Sequence, residues 1–226
     1  MTLPKILSQS KIDEAAALVG EYYTKLYRND LPQTGSRFDD WAGGGDKGEV
    51  AHIITADDVL AVSFLSVQVT ARAAIGLIET HAGEVSELLK RIPTDLDLSA
   101  VAPDEYAEVL GSQSPANQLW RLLRGSDSYR WGIGPTTASK VMARKRPRLI
   151  PIFDSVVGPL MGHPTCDGQW ETWHSVLTDG SGLPERLRMI RRRAAIDHDI
   201  SDLRTMDVVL WMFGKSQGMA VHQEAG

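Results

Sequence analysis

Two features of the chain are of the kind that does chemistry, and they lie near each other. Gly132-Ile133-Gly134 opens the run Pro135-Thr136-Thr137-Ala138-Ser139-Lys140, and Asp154 follows Gly134 by 20 residues. A tight Gly-x-Gly turn that feeds a helix aims the first backbone N–H groups outward, which makes an anion site suited to a phosphate. Downstream, Leu149 to Phe153 run extended through Pro151 and deliver one carboxylate, Asp154, at a new helix start among Ile152, Phe153, Val156 and Val157. A carboxylate in apolar surroundings can stabilise a developing cation and orient or deprotonate a water. The same position also suits an ordinary helix cap.

Over about residues 122–157 these elements resemble the helix-hairpin-helix DNA glycosylases, whose pattern reads Gly-hydrophobic-Gly-x-x-Thr-Ala with a catalytic Asp about 20 residues later. The resemblance implies an all-α, two-lobed helical fold, with a helix-hairpin-helix element at about 115–144 in a single globular unit spanning 1–226. It implies Asp154 as the catalytic residue, and double-stranded DNA containing a modified base as the partner. The N-glycosidic bond is then hydrolysed to leave an abasic site, in DNA repair or anti-phage defence. Thr136 stands where the bifunctional members carry an amine, and a hydroxyl cannot form a Schiff base, so the implied enzyme is monofunctional. The chain departs from several members at Val156, where they have histidine. The alternative is a non-catalytic helix-hairpin-helix DNA-binding protein in which Asp154 only caps.

Charge distribution supports a DNA partner more than the net charge of −5 does. Residues 121–148 carry Arg121, Arg124, Arg130, Lys140, Arg144, Lys145, Arg146 and Arg148 against Asp127 alone, whereas residues 1–120 are acidic by a balance of −9. Cations gathered around the glycine turn are what a phosphate backbone would meet. Gly132, Gly134, Thr136, Thr137, Lys140, Arg144, Lys145 and Arg146 are therefore the expected DNA contacts. Arg186, Arg188, Arg191, Arg192 and Arg193 form a second knot, whose run from Arg191 to Arg193 suits a solvated helix face equally well. A basic partner for the acidic first half is a third reading. Extrusion of a base needs aromatic surface and a wedge, for which Phe38, Trp41, Tyr129 and Trp131 are candidates; Asp39 and Asp40 beside Trp41 offer acceptors for a base edge. Trp120, Trp170, Trp173 and Trp211 read as packing residues.

The positioning elements read as helices. Ser10 can cap a helix carrying Ile12, Ala15, Ala16, Val19, Tyr22, Tyr23 and Leu26 on one stripe. Residues 28–49 are polar and glycine-rich, a long loop. Thr55 and Asp58 form a capping box for 59–67, apolar enough to be a buried central helix. Further helices are expected at 71–91, 103–110, 115–124, 135–144, 155–161, 169–178, 184–195 and 201–214, with no alternating strand series. Cys166 is the single cysteine, which excludes an internal disulfide and an all-cysteine iron–sulfur cluster, and the six histidines lack ligand spacing. No metal or cofactor is expected. Without a bilayer-length apolar run or a signal-peptide core at Met1–Lys5, a cytoplasmic protein and no membrane are expected, as is a monomer.

Overall fold

The computed structural model describes residues 3–27, 30–125 and 131–219, and among these the regular structure is helical, with no strand. Helices α1 Ile12–Thr24, α2 Ala56–Ser63, α3 Ala71–Ile75, α4 Ala82–Lys90, α5 Tyr106–Val109 and α6 Pro115–Arg124 come first. They are followed by α7 Pro135–Lys145, α8 Val157–Leu160, α9 Gln169–Thr178, α10 Leu183–Ala194 and α11 Asp202–Ser216. Local chemistry accounts for several boundaries. The Ser114 hydroxyl accepts Asn117 N–H at 3.1 Å, Pro115 starts α6, and Gly125 ends it at φ +74°. Thr55 and Asp58 exchange the reciprocal bonds of a capping box around α2. Ser201 caps α11, whereas Ser10 lies in a short 3₁₀ turn and makes no cap for α1.

Helices α1, α10 and α11 pack on one another, α2 and α6 both pack on α7, and α4 packs on α6. The expected helix at 71–91 is broken by a single π turn, Gly76–Thr80. A Cβ on Gly76 would lie 2.1 Å from the Trp131 ring, so the bare glycine lets the indole press onto the backbone there. The expected central helix is the wrong one. In α2, Leu60 is exposed, Val59 is half-buried, and the helix stops at Ser63. The helix buried along its whole length from Thr136 to Lys145 is α7, in spite of its polar composition.

What makes that burial tolerable is a set of internal partners. Arg144 donates from Nε to Asp58 Oδ1 at 3.1 Å, from Nη1 to the carbonyls of Phe38 and Asp39 at 2.6 and 3.0 Å, and from Nη2 to Trp41 O at 2.6 Å. Lys145 Nζ donates to Asp58 Oδ2 at 3.0 Å and to Val50 O at 2.7 Å. Arg146 takes the carbonyls of Ile92, Ala51, Leu89 and Lys145. The glycine-rich 28–49 segment, as far as it is described, thus wraps the end of α7 with its carbonyls. Gly45 marks the closest point: a Cβ there would sit 2.6 Å from Arg144 O and 2.7 Å from Asp58 Oδ1.

Candidate functional site

Asp154 is carried by the extended segment 149–154, whose Leu149, Ile150, Ile152 and Phe153 are buried. Two polar side chains fix its register. Ser139 on α7 accepts Phe153 N–H at 3.0 Å, with its hydroxyl in reach of Thr136 O and Phe153 O, and Gln169 donates to Ile152 O at 2.7 Å. The glycine turn, α7 and Asp154 are therefore one mechanical unit. Asp154 Oδ1 accepts the N–H groups of Val156 and Val157, each at 2.8 Å, so the residue does cap the start of α8. Both bonds engage Oδ1 alone.

The residue also lines a cavity of about 50 Å³ between α1, α7 and α11, closed on one side by Gln33–Gly35 and Phe64–Ser66. Lys140, Arg204 and Asp207 share its wall with Asp154, and Tyr22, Phe64 and Trp211 supply aromatic surface. Lys140 Nζ donates to Leu65 O at 2.8 Å. Arg204 is wholly engaged: Nε to Asp39 Oδ2 at 3.0 Å, Nη1 to Asp207 Oδ2 at 2.5 Å, Nη2 to Gly35 O at 2.8 Å and to Tyr22 OH at 3.1 Å. Burial disfavours this guanidinium's charge, but Asp39, Tyr22, Tyr23 and Asp207 outweigh it and hold its proton more firmly than usual. Burial pushes the Asp207 carboxyl up to about 6; Arg204 opposes the rise and the nearby Asp154 adds to it. Burial also lifts the Tyr22 phenol to about 12, against Arg204. Asp207 Oδ1 is buried and has no hydrogen-bond partner among the described residues.

The expected DNA-contact cations are displaced from that role. Lys140, Arg144, Lys145 and Arg146 are all buried, with Lys145 at 0% and Arg146 at 1% exposure, and their donors point to internal carbonyls and Asp58. Arg144, Lys145 and Arg146 reach no phosphate backbone while these bonds hold, and Lys140 stands on the cavity wall with Asp154. Burial shifts Lys145 down, with Asp58 opposing, and takes Arg146 down to about 10. Thr136 and Thr137 are buried too. Gly132 is exposed at φ +81°, a conformation that glycine adopts without strain, and Gly134 forms the N-cap of α7 with no side chain capping it. Of the other cations in the window, Arg121, Arg124 and Arg148 are exposed, and Arg148 pairs with Asp97 at 2.6 Å. In the second knot, Arg193 meets Asp13 at 2.5 Å and Arg191 meets Asp202 at 3.3 Å.

The aromatic candidates separate likewise. Phe38 is 2% exposed and lies under the Arg204 guanidinium at 5.3 Å, a core position with no open face for a base. Trp131 is buried, its ring edge-on to His81 at 5.0 Å. Trp41 is half-buried, bonds Asp57 through Nε1 at 3.0 Å, and meets Phe64 at 5.2 Å, one residue removed from the cavity wall. Tyr129 lies outside the described residues. Asp39 spends Oδ2 on Arg204 and Tyr23, and Asp40 faces His198 at 3.2 Å. Trp173 packs in the core, and Trp120 and Trp170 pack on each other at 5.7 Å. Trp211, read as packing, stands on the cavity wall. Arg204, Asp207 and Tyr22 were missed as site residues, because an Arg and an Asp three positions apart read as an ordinary helical ion pair.

The chain belongs to a family of unknown function, DUF6308, whose model matches residues 15–214. No curated protein and no solved structure matches it.

Proposed function

We propose that this member of the family is a monofunctional DNA glycosylase, one that hydrolyses the N-glycosidic bond of a damaged or modified base in double-stranded DNA and leaves an abasic site. The observation that carries the reading is the setting of Asp154. It stands 20 residues after the glycine turn and shares a cavity wall with Lys140, Arg204 and Asp207, beside Phe64 and Trp211. With Oδ1 committed to the cap, Oδ2 is the oxygen left to face a sugar cation or an attacking water. The cavity has room for a few waters only. A base enters by displacing the Phe64–Ser66 segment, where Ser66 already holds a left-handed φ of +62°. Phosphate contact falls to backbone N–H groups at the start of α7 and to the exposed Arg121 and Arg124 on α6, in place of the buried cations.

One observation favours the non-catalytic alternative: the Asp154 bonds are those of a plain cap. A panel of duplexes with oxidised, deaminated, alkylated and bulky bases, assayed for alkali-labile abasic sites, separates the two. Asp154→Asn keeps the Oδ1 acceptor and loses only the charge, so base release should vanish while DNA affinity stays within a few-fold. Near-normal excision by the Asn variant would overturn the catalytic assignment, and binding without excision by the unaltered protein would favour the module. Borohydride should trap no enzyme–DNA adduct; a trapped one would implicate the Lys140 amine.

A further inference from the structure

Resting on the glycosidic-bond reading, we propose that Asp207 is the acid of the same site: it holds a proton at Oδ1 and gives it to the base as the C1′–N bond breaks. The site would then take bases that carry no fixed positive charge.

The two oxygens of Asp207 are treated differently. Oδ2 accepts Arg204 Nη1 at 2.5 Å, whereas Oδ1 is buried with no hydrogen-bond partner among the described residues. An ionised oxygen in that position forfeits its hydration with only the Arg204 charge to compensate, whereas a protonated one keeps an O–H that a ligand reaches on displacing the Phe64–Ser66 segment. Asp154, on the same wall, is supplied with two backbone donors. Two carboxylates sharing one cavity do not both ionise cheaply, and unlike surroundings decide which keeps the proton. The groups around Asp207 and its partner Arg204 are Tyr22 and Tyr23 on α1, Asp39 in the loop, Lys140 on α7 and Asp154 before α8; Arg188 and Arg191 on α10 are turned to Asp202 instead. Burial is the main influence on its titration, which lies near 6.

In the reaction, the C1′–N electron pair goes to the base, and the Asp207 proton goes to the same heterocycle. Water adds its oxygen to C1′ and loses a proton to Asp154. The two carboxyl groups return to their starting states through solvent, so one water is consumed for each free base and sugar hydroxyl formed. A cationic N-alkylated base would face the Arg204 guanidinium and the Lys140 amine, and it leaves without needing a proton. The geometry therefore suits oxidised, deaminated or otherwise neutral modified bases.

Single-turnover excision from duplexes carrying hypoxanthine, uracil or 8-oxoguanine, and in parallel 7-methylguanine, tests the proposal in the unaltered protein, Asp207→Asn and Asp207→Ser. The neutral-base rate should decline as pH rises past about 6 and fall by about 10²- to 10⁴-fold in both variants, which lose the pH dependence. Release of 7-methylguanine, slower in all three proteins because Arg204 and Lys140 face the cationic base, should change less than about threefold between them. Equal losses on both kinds of base, or a variant that keeps the original pH profile, would overturn the acid role. Urea unfolding as a function of pH supplies a readout apart from activity. Stability of the unaltered protein relative to Asp207→Asn should fall between about pH 4 and 6, and a pH-independent difference would overturn the held proton. No excision of any base by the unaltered protein would sink the glycosidic reading and proton transfer to a base with it, while the unfolding data still decide whether Asp207 holds a proton.

Discussion

Arg144→Met asks whether the cationic end of α7 belongs to the core or to a DNA surface. The guanidinium is 2% exposed, its partner Asp58 3%. The substitution removes one charge-assisted bond at 3.1 Å and three donors that satisfy the carbonyls of Phe38, Asp39 and Trp41. Asp58 retains Lys145 at 3.0 Å, so it is weakened without being orphaned. Breaking a buried pair costs about 3–5 kcal/mol, and each buried acceptor left bare adds about 1–3 kcal/mol, less where the methionine lets the loop relax. A net loss of at least about 4 kcal/mol is therefore expected, a large share of the roughly 5–15 kcal/mol that holds an ordinary domain together. Urea unfolding with a shared m-value measures it, with Arg148→Met as the exposed control at about 1 kcal/mol or less. The Arg144 loss should persist in about 1 M salt, where the screening length is about 3 Å, because buried pairs are little screened. A loss below about 1 kcal/mol that disappears in salt would refute the burial argument and return Arg144 to the surface.

Asp207 makes stability depend on pH. Its carboxyl moves from the usual 3.8 to about 6 on folding, and at 1.36 kcal/mol per unit this contributes about 3 kcal/mol. The sign follows from a raised acid: the contribution is complete below 3.8 and lost as pH climbs through 6, so Asp207→Asn should lack that decline in denaturant titrations between those values. Ser139→Ala strips the acceptor from the buried Phe153 N–H and should cost about 1–3 kcal/mol, lowering excision through a misplaced Asp154 while DNA binding holds; unchanged excision in a destabilised variant would separate the register from the chemistry. Gly132→Ala forces a side chain to φ +81° at a cost of about 1–2 kcal/mol, and should weaken DNA binding to all sequences alike, measured by salt-titrated affinity. Gly76→Ala should displace Trp131, whose ring lies 2.1 Å from the added Cβ, and a thermal midpoint equal to that of the unaltered protein would contradict the close packing.

Legibility in the sequence followed the range of the interactions. Ser114-Pro115 and Gly125 bracket α6, and Thr55 with Asp58 caps α2, because a cap is written in four adjacent residues. The spacing from Gly134 to Asp154 was equally readable. The fate of the cations was not: a lysine or arginine in a helix reads as solvated unless its partner is known, and the partners of Arg144 lie at 38, 39, 41 and 58. The capping box hid its own second role, since nothing local says that Asp58 gives Oδ1 to Arg144 and shares the capping Oδ2 with Lys145. Likewise α11 brings Arg204, Asp207 and Trp211 to a cavity whose other wall is more than 45 residues earlier in the chain, and no local pattern marks them.

The polar composition of α7 then has a mechanical sense. An apolar helix in the same place could shift or rotate against its neighbours at modest cost, because dispersion contacts are individually weak and non-directional. Arg144, Lys145 and Arg146 instead tie the last turn to carbonyls and one carboxylate from residues 38 to 92, each bond directional and each expensive to leave unmade. With that end pinned, Ser139 holds Phe153 in one register and Lys140 reaches Leu65 O. The distance between the glycine turn and Asp154 is thereby set by the interior of the protein before any ligand arrives. A site that must place a carboxylate against a sugar atom gains from such rigidity, and the same bonds that exclude these cations from a DNA surface are the ones that supply it.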